Sequence, residues 1–126
     1  MKPPTIILIA DRNPYVRKFM QREMTHAGYE VLLAESGRQL LFWVERHKTL
    51  DLVILDSDLP DMDAAALIAA LRLRTPDLPV VVHCHLGDQT EKIRFNGTWF
   101  VQKGGNSVER IIQMVEKILY FRGLER

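Results

Sequence analysis

Two hydrophobic rhythms take turns along this chain. Short runs of consecutive apolar residues, the pattern of strands buried on both faces, fall at 5–10, 29–33, 52–55, 80–82 and 99–102. Between them the apolar positions recur at helical spacing. Asn13-Pro14 reads as the cap and first position of a helix whose Val16, Phe19, Met20 and Met24 share one stripe, and Gly28 closes it. Ser36 can cap a helix carrying Leu40, Leu41 and Val44, and Asp63 caps an Ala-rich helix over 64–72 that Pro76 stops. A short polar helix is expected at about 88–95, ahead of Gly97. The last helix starts near Ser107, carries Val108, Ile111, Ile112, Val115, Ile118 and Leu119, and ends near Phe121.

Strict alternation of strand and helix predicts an α/β fold, a doubly wound parallel sheet with helices on both faces and right-handed crossovers. Five units suit the flavodoxin-like strand order 2-1-3-4-5, which places ligands at the carboxyl ends of the strands near the switch point. Residues 1–126 read as a single domain, with 121–126 a tail or the start of a linker. No repeat or low-complexity stretch interrupts it.

Composition narrows the function classes without choosing one. A 126-residue chain, 47% hydrophobic and 26% charged, is an ordinary globular domain. Its net charge of +1 gives no general attraction to nucleic acid or membranes, and Arg110, Lys117, Arg122 and Arg126 read as a solvated helix face. The single cysteine, Cys84, rules out an intramolecular disulfide and fits a reducing compartment. The apolar N-terminal run meets Asp11 and Arg12 far too early for a bilayer span or a signal peptide, so the protein is expected to be cytoplasmic.

The chemistry gathers at strand ends. The first strand ends at Asp11, the third at Asp56 and the fifth at Lys103, so two acids and an amine can converge on one phosphate-sized site. Arg12, directly after Asp11, puts a permanent cation beside them. Its two readings are an exposed arginine with its head in water and a guanidinium lying near Asp56 in place of a metal. His83-Cys84-His85 ends the fourth strand, but a tetrahedral metal site needs three or four ligands and no second cluster exists. These three read instead as a packed cysteine flanked by two rim histidines.

On Ile-Leu-Ile-Ala-Asp11-Arg12-Asn13-Pro14, Leu-Val-Ile-Leu-Asp56-Ser-Asp-Leu-Pro60-Asp-Met62-Asp63 and Phe100-Val-Gln-Lys103, the chain resembles the receiver domain of two-component response regulators over essentially its whole length. The resemblance implies that Asp56 accepts a phosphoryl group from a histidine kinase or phosphotransfer protein and that Lys103 contacts that group. It implies a Mg²⁺ site made by an acidic pair that includes Asp11, by the Asp56 carboxylate and by the backbone carbonyl of Asp58. Phosphoryl transfer asks mainly for neutralisation of spread negative charge, which a metal and a lysine supply.

Four positions depart from the family pattern. Arg12 replaces the second acid of the pair, Cys84 stands where a Thr or Ser hydroxyl is usual, Phe100 keeps the switch aromatic without a hydroxyl, and Gly104 follows Lys103 in place of proline. The segment from Cys84 to Lys103 is about one helical turn short. These changes predict an atypical receiver with a retained but electrostatically altered pocket and weak or absent Mg²⁺ binding. The alternative is a pseudo-receiver acting as a phosphorylation-independent interaction domain. A remote alternative, an aspartyl-phosphate phosphatase, is suggested by Asp56-Ser57-Asp58, but that motif belongs on a first strand and Pro60 breaks it; no enzyme activity is expected. The broad apolar face of the last helix, with Trp99, predicts weak homodimerisation or an output partner there.

Overall fold

The computed structural model describes residues 3–85 and 97–124; the short helix expected at about 88–95 lies outside them. Within the described residues the order is β1 (Ile6–Ala10), α1 (Pro14–His26), β2 (Glu30–Ala34), α2 (Gly37–Arg46), β3 (Leu52–Asp56), α3 (Ala64–Arg74), β4 (Val80–Cys84), β5 (Thr98–Gln102) and α4 (Ser107–Leu124). All strand pairings are parallel, in the order β2-β1-β3-β4-β5. The strand order matches the one the alternating pattern predicts.

Local chemistry sets the helix ends. The Asn13 side chain accepts from the backbone N–H groups of Tyr15 and Val16, Ser36 from Gln39, and Asp63 from Ala66, so each cap satisfies amides that the first turn leaves without a partner. Helix α1 closes with Gly28 N–H on the Thr25 carbonyl and Tyr29 N–H on the Met24 carbonyl. That double closure needs a residue at positive φ, and Gly28 has φ 95°. Helix α3 runs two residues past its expected end, to Arg74, because Pro76 forbids helix only from the residue before it.

Two apolar layers sandwich the sheet. One face, with Leu8, Val53, Leu55 and Val82, packs on Leu40 and Val44 of α2 and on Leu67, Ile68 and Leu71 of α3. The other, with Ile7, Ile9, Ile54 and Val81, packs on Met20 and Met24 of α1 and on Ile111 and Val115 of α4. Each such fully buried aliphatic side chain contributes about 1.5–3 kcal/mol, so the sheet is a rigid platform for its carboxyl-end loops. The apolar breadth of α4 goes mostly inward. Ile111, Val115 and Ile118 are buried, and Val108, Ile112, Leu119 and Trp99 are half-buried against the same core. Tyr120 and Phe121, packed edge to face, are the large apolar side chains that α4 leaves exposed among the described residues.

Candidate functional site

A parallel sheet sends every strand's carboxyl end to one edge, and there β1, β3, β4 and β5 deliver Asp11, Asp56, His83 and Lys103. These residues, with Arg12, Asp58, His85, Ser107 and others, line an open cleft of about 640 Å³. Asp56 is only 2% exposed and is held by three donors. Its Oδ1 accepts from Lys103 Nζ at 2.7 Å and from the Asp58 amide at 3.0 Å, while Oδ2 accepts weakly from the Arg12 amide at 3.4 Å. A carboxylate taken out of water this far requires such partners.

Asp11 is equally buried, at 2% exposure, but lacks a lysine of its own. Its Oδ1 accepts from the Asn13 amide at 2.8 Å. Burial, with the Asp56 charge adding to it, pushes its carboxyl up to about 6 against the opposing pull of that amide and of Lys103.

The Arg12 backbone faces Asp56, whereas its exposed side chain extends outward. One guanidinium nitrogen lies 3.5 Å from the Asp58 carbonyl oxygen. The head is solvated, and its contact is with a backbone acceptor of the cleft rather than with the Asp56 carboxylate. His85 stands at the rim, with Nε2 3.5 Å from both Asp58 Oδ2 and Lys103 Nζ.

Cys84 is packed, as read from the sequence; its place in the cleft and the position of His83 need correction. Cys84 does not line the cleft: its Sγ lies buried 3.7 Å from the Val101 carbonyl in the α2–α3 core layer, beside which Phe100 packs half-buried. His83 is not a rim residue but is 4% exposed. The reason is strand alternation, which turns Cys84 to one face with Val80 and Val82 and leaves His83 on the other with Val81. His83 Nε2 meets Ser107 Oγ at 2.8 Å, and burial followed by the Lys103 charge lowers its pKa to about 4, so it is neutral at ordinary pH. Ser107 carried no chemical signal in the sequence beyond its place at the start of a helix.

Residues 7–116 match the family model described as the response regulator receiver domain. The chain belongs to that family. As a receiver domain of two-component signalling it is 34% identical over 87 residues to the probable transcriptional regulator ycf27 of Galdieria sulphuraria, covering 69% of this chain and 33% of that protein. It is 35% identical over 79 residues to the transcriptional regulatory protein GlrR of Escherichia coli, covering 63% and 18%. The receiver chain thus spans about a third or less of the length of these relatives. Among solved structures, the response regulator receiver protein of Sinorhizobium medicae superposes with a TM-score of 0.82 at 19% identity, covering 93% of this chain and 95% of that one. The Thermotoga maritima response regulator TrrA, solved in complex with Mg²⁺–BeF, does so at 0.76 and 24% identity, covering 90% and 97%. These structural likenesses concern the fold.

Within this receiver domain, the oxygens at the cleft that a divalent cation could use include the Asp11 and Asp56 carboxylates and the Asp58 carbonyl. Two of the protein's own cations already engage that set, Lys103 on Asp56 and Arg12 on Asp58. Among the described residues no group of three or more His, Cys, Asp or Glu side chains is arranged around a common metal position. No helix among them is long and apolar enough to cross a membrane.

Proposed function

We propose that this receiver domain takes a phosphoryl group on Asp56 from a histidine kinase or phosphotransfer protein, in a pocket where Arg12 diminishes the part played by Mg²⁺. The observation that carries the reading is the 2.7 Å pair between Lys103 Nζ and the buried Asp56. In the transfer, a carboxylate oxygen of Asp56 attacks the phosphorus, the donor's P–N or P–O bond breaks, and the leaving group keeps the electron pair and takes a proton from water. Lys103 neutralises charge on the arriving phosphoryl oxygens. Magnesium favours several oxygen ligands and retained waters, whereas here a guanidinium lies across one ligand and the usual second acid is absent. The donor set fits Mg²⁺ poorly, and weak binding is the proposed consequence.

The test is incubation with acetyl phosphate, with and without Mg²⁺, read by intact mass alongside Asp56→Asn. One phosphoryl addition on the parent protein and none on the variant supports the reading. A parent protein that takes no label at any Mg²⁺ concentration overturns it in favour of a phosphorylation-independent pseudo-receiver. The contact of Arg12 with Asp58 is what favours that second reading. Absence of p-nitrophenyl phosphate turnover is expected under both. The exposed Tyr120 and Phe121, next to half-buried Leu119, support weak self-association or an output partner on α4, which sedimentation against concentration would test.

A further inference from the structure

The loop that carries Lys103 has little rigidity of its own. Lys103 is followed by Gly104 and Gly105, and at neither glycine would a Cβ meet any atom within 4 Å. Two glycines in open space cost more backbone entropy to order than any other pair of residues. Yet the Lys103 ammonium is placed at 2.7 Å from Asp56, which requires the backbone beneath it to hold still.

Upstream, the Lys103 amide is fixed on the Cys84 carbonyl at 2.7 Å. Downstream, both donors of Ser107 converge on the Gly104 carbonyl, the amide at 3.2 Å and the hydroxyl at 3.0 Å. The hydroxyl proton is thereby used, so Ser107 Oγ accepts from His83 Nε2–H at 2.8 Å. His83 is itself rooted in the sheet, in register with Asp56 on one side and Val101 on the other. Both His83 and Ser107 are 4% exposed, so water does not compete for the bond. The Nδ1 of His83 is buried without a hydrogen-bond partner among the described residues. A buried imidazole with one nitrogen unsatisfied is a cost that a valine here would avoid.

We infer that His83 and Ser107 are positioning residues, a buried pin that fastens the Gly104 carbonyl to the strand beside Asp56 and so holds Lys103 on the phosphoacceptor. The pin supplies the order that Gly104-Gly105 lacks. The inference rests on the reading of Asp56 as phosphoacceptor only for its functional consequence; the geometric claim stands apart from it.

The experiment compares the parent protein with Ser107→Ala, Ser107→Thr and His83→Val, all without phosphate donor at first. Three quantities are read: melting temperature, hydrogen exchange of the bonded amides at Lys103 and position 107, and the ¹⁵N-detected Lys103 ammonium resonance, which persists only while the amine is held in its ion pair. Loss of the pin is expected to speed exchange of the amide at position 107, which donates to the Gly104 carbonyl, about tenfold or more and to broaden the ammonium signal in Ser107→Ala and His83→Val. Ser107→Thr, which keeps the hydroxyl, is expected to retain both. With acetyl phosphate, the two pin-less variants are expected to label Asp56 about fivefold or more slowly than Ser107→Thr, the size of losing about 1 kcal/mol of positioning. Variants that lose melting temperature but keep parent exchange of the amide at position 107 and a sharp Lys103 signal would overturn the inference, since the pair would then be structural only. If His83→Val fails to fold, the serine pair alone decides. A parent protein that takes no label while the Lys103 signal responds as expected would sink the phosphoacceptor reading and leave the pin intact.

Discussion

Arg12 and Asp58, 46 positions apart in sequence, meet through a guanidinium nitrogen and a backbone carbonyl oxygen 3.5 Å apart. The contact is long for a hydrogen bond and lies in solvent, so it adds little stability. Its consequence is electrostatic. A fixed positive charge stands beside the Asp58 carbonyl that the proposed Mg²⁺ site would use.

Arg12→Asp is therefore expected to tighten Mg²⁺ binding and to raise the acetyl-phosphate labelling rate of Asp56. A unit charge about 4 Å away contributes roughly 1–4 kcal/mol near a protein surface, so a tenfold gain in affinity is a conservative expectation. Arg12→Ala should recover only part of it, because it removes repulsion without supplying a ligand. Magnesium titrations of the three proteins decide the matter. Equal affinity across them would remove Arg12 from the account.

Asp11 and His83 give opposite pH dependences in nearly the same window. Asp11 has a folded-state value of about 6 against an ordinary 3.8, so its buried charge costs stability above pH 6 and that cost is relieved as pH falls toward 4. His83 has a folded-state value of about 4 against 6.5, so stability is lost as pH falls from 6.5 to 4, where only the unfolded chain takes up its proton. The two slopes offset in the parent protein. Asp11→Asn is expected to lose stability steeply in acid between pH 6.5 and 4, by up to about 1.4 kcal/mol per pH unit. His83→Val is expected to gain stability over the same range, and at pH 7 Asp11→Asn should be more stable than the parent. Urea titrations at half-unit pH steps read both slopes; parallel curves for all three proteins would contradict the assignment.

The strands, their order and three helix caps were legible because each rests on local sequence: an apolar run, or an Asn, Ser or Asp one residue before a helix. Asp11, Asp56 and Lys103 were legible for a related reason, since a parallel sheet sends all its strand ends to one edge. What local pattern could not reveal was the facing of β4. Val80-Val81-Val82 is apolar on both sides, so nothing in the alternation says whether His83 or Cys84 turns toward the cleft. Partners distant in sequence were likewise invisible. His83 with Ser107, Asp61 with the start of α2, and Arg72 with the loop before β4 are each polar residues of common type whose roles exist only after the sheet has formed.

Arg72 of α3 ties three segments together. Its guanidinium donates to the Leu78 carbonyl, to the Gly97 carbonyl at 2.9 Å and to Thr98 Oγ1 at 3.1 Å. Those partners lie at the starts of β4 and β5, so the fork holds these two neighbouring strands at their amino ends. Arg72→Met keeps the stem but leaves the Leu78 carbonyl without this donor, and a loss of about 1–3 kcal/mol is expected. Arg72→Lys should recover less than half, since a point charge cannot bridge three acceptors set for a fork. A lower urea midpoint with unchanged slope is the signature sought; an unchanged midpoint for Arg72→Met would show that the fork is dispensable.

Asp61, in the loop after β3, caps α2 from a distance. Its Oδ1 accepts from the Gly37 amide at 2.7 Å and its Oδ2 from the Arg38 amide at 3.0 Å. Those two amides, Gly37 first, hold the carboxyl below its ordinary 3.8. A depressed acid contributes stability that is fully present above its unfolded value and is lost as pH falls through the folded one. Asp61→Ala is expected to cost about 1 kcal/mol at neutral pH, the usual size of a lost helix cap, and the difference from the parent should shrink below pH 4. A Cβ at Gly37 would lie 3.2 Å from Asp61 Oδ1 and 3.1 Å from Met62 Sδ, tighter than ordinary contact, so Asp61 would have to shift off its cap by a few tenths of an ångström. Gly37→Ala should therefore weaken the cap even with Asp61 in place. Its effect and that of Asp61→Ala should be less than additive in a double-mutant cycle. Full additivity at neutral pH would show that the two residues act independently and that the loop beside Asp56 is not anchored through α2.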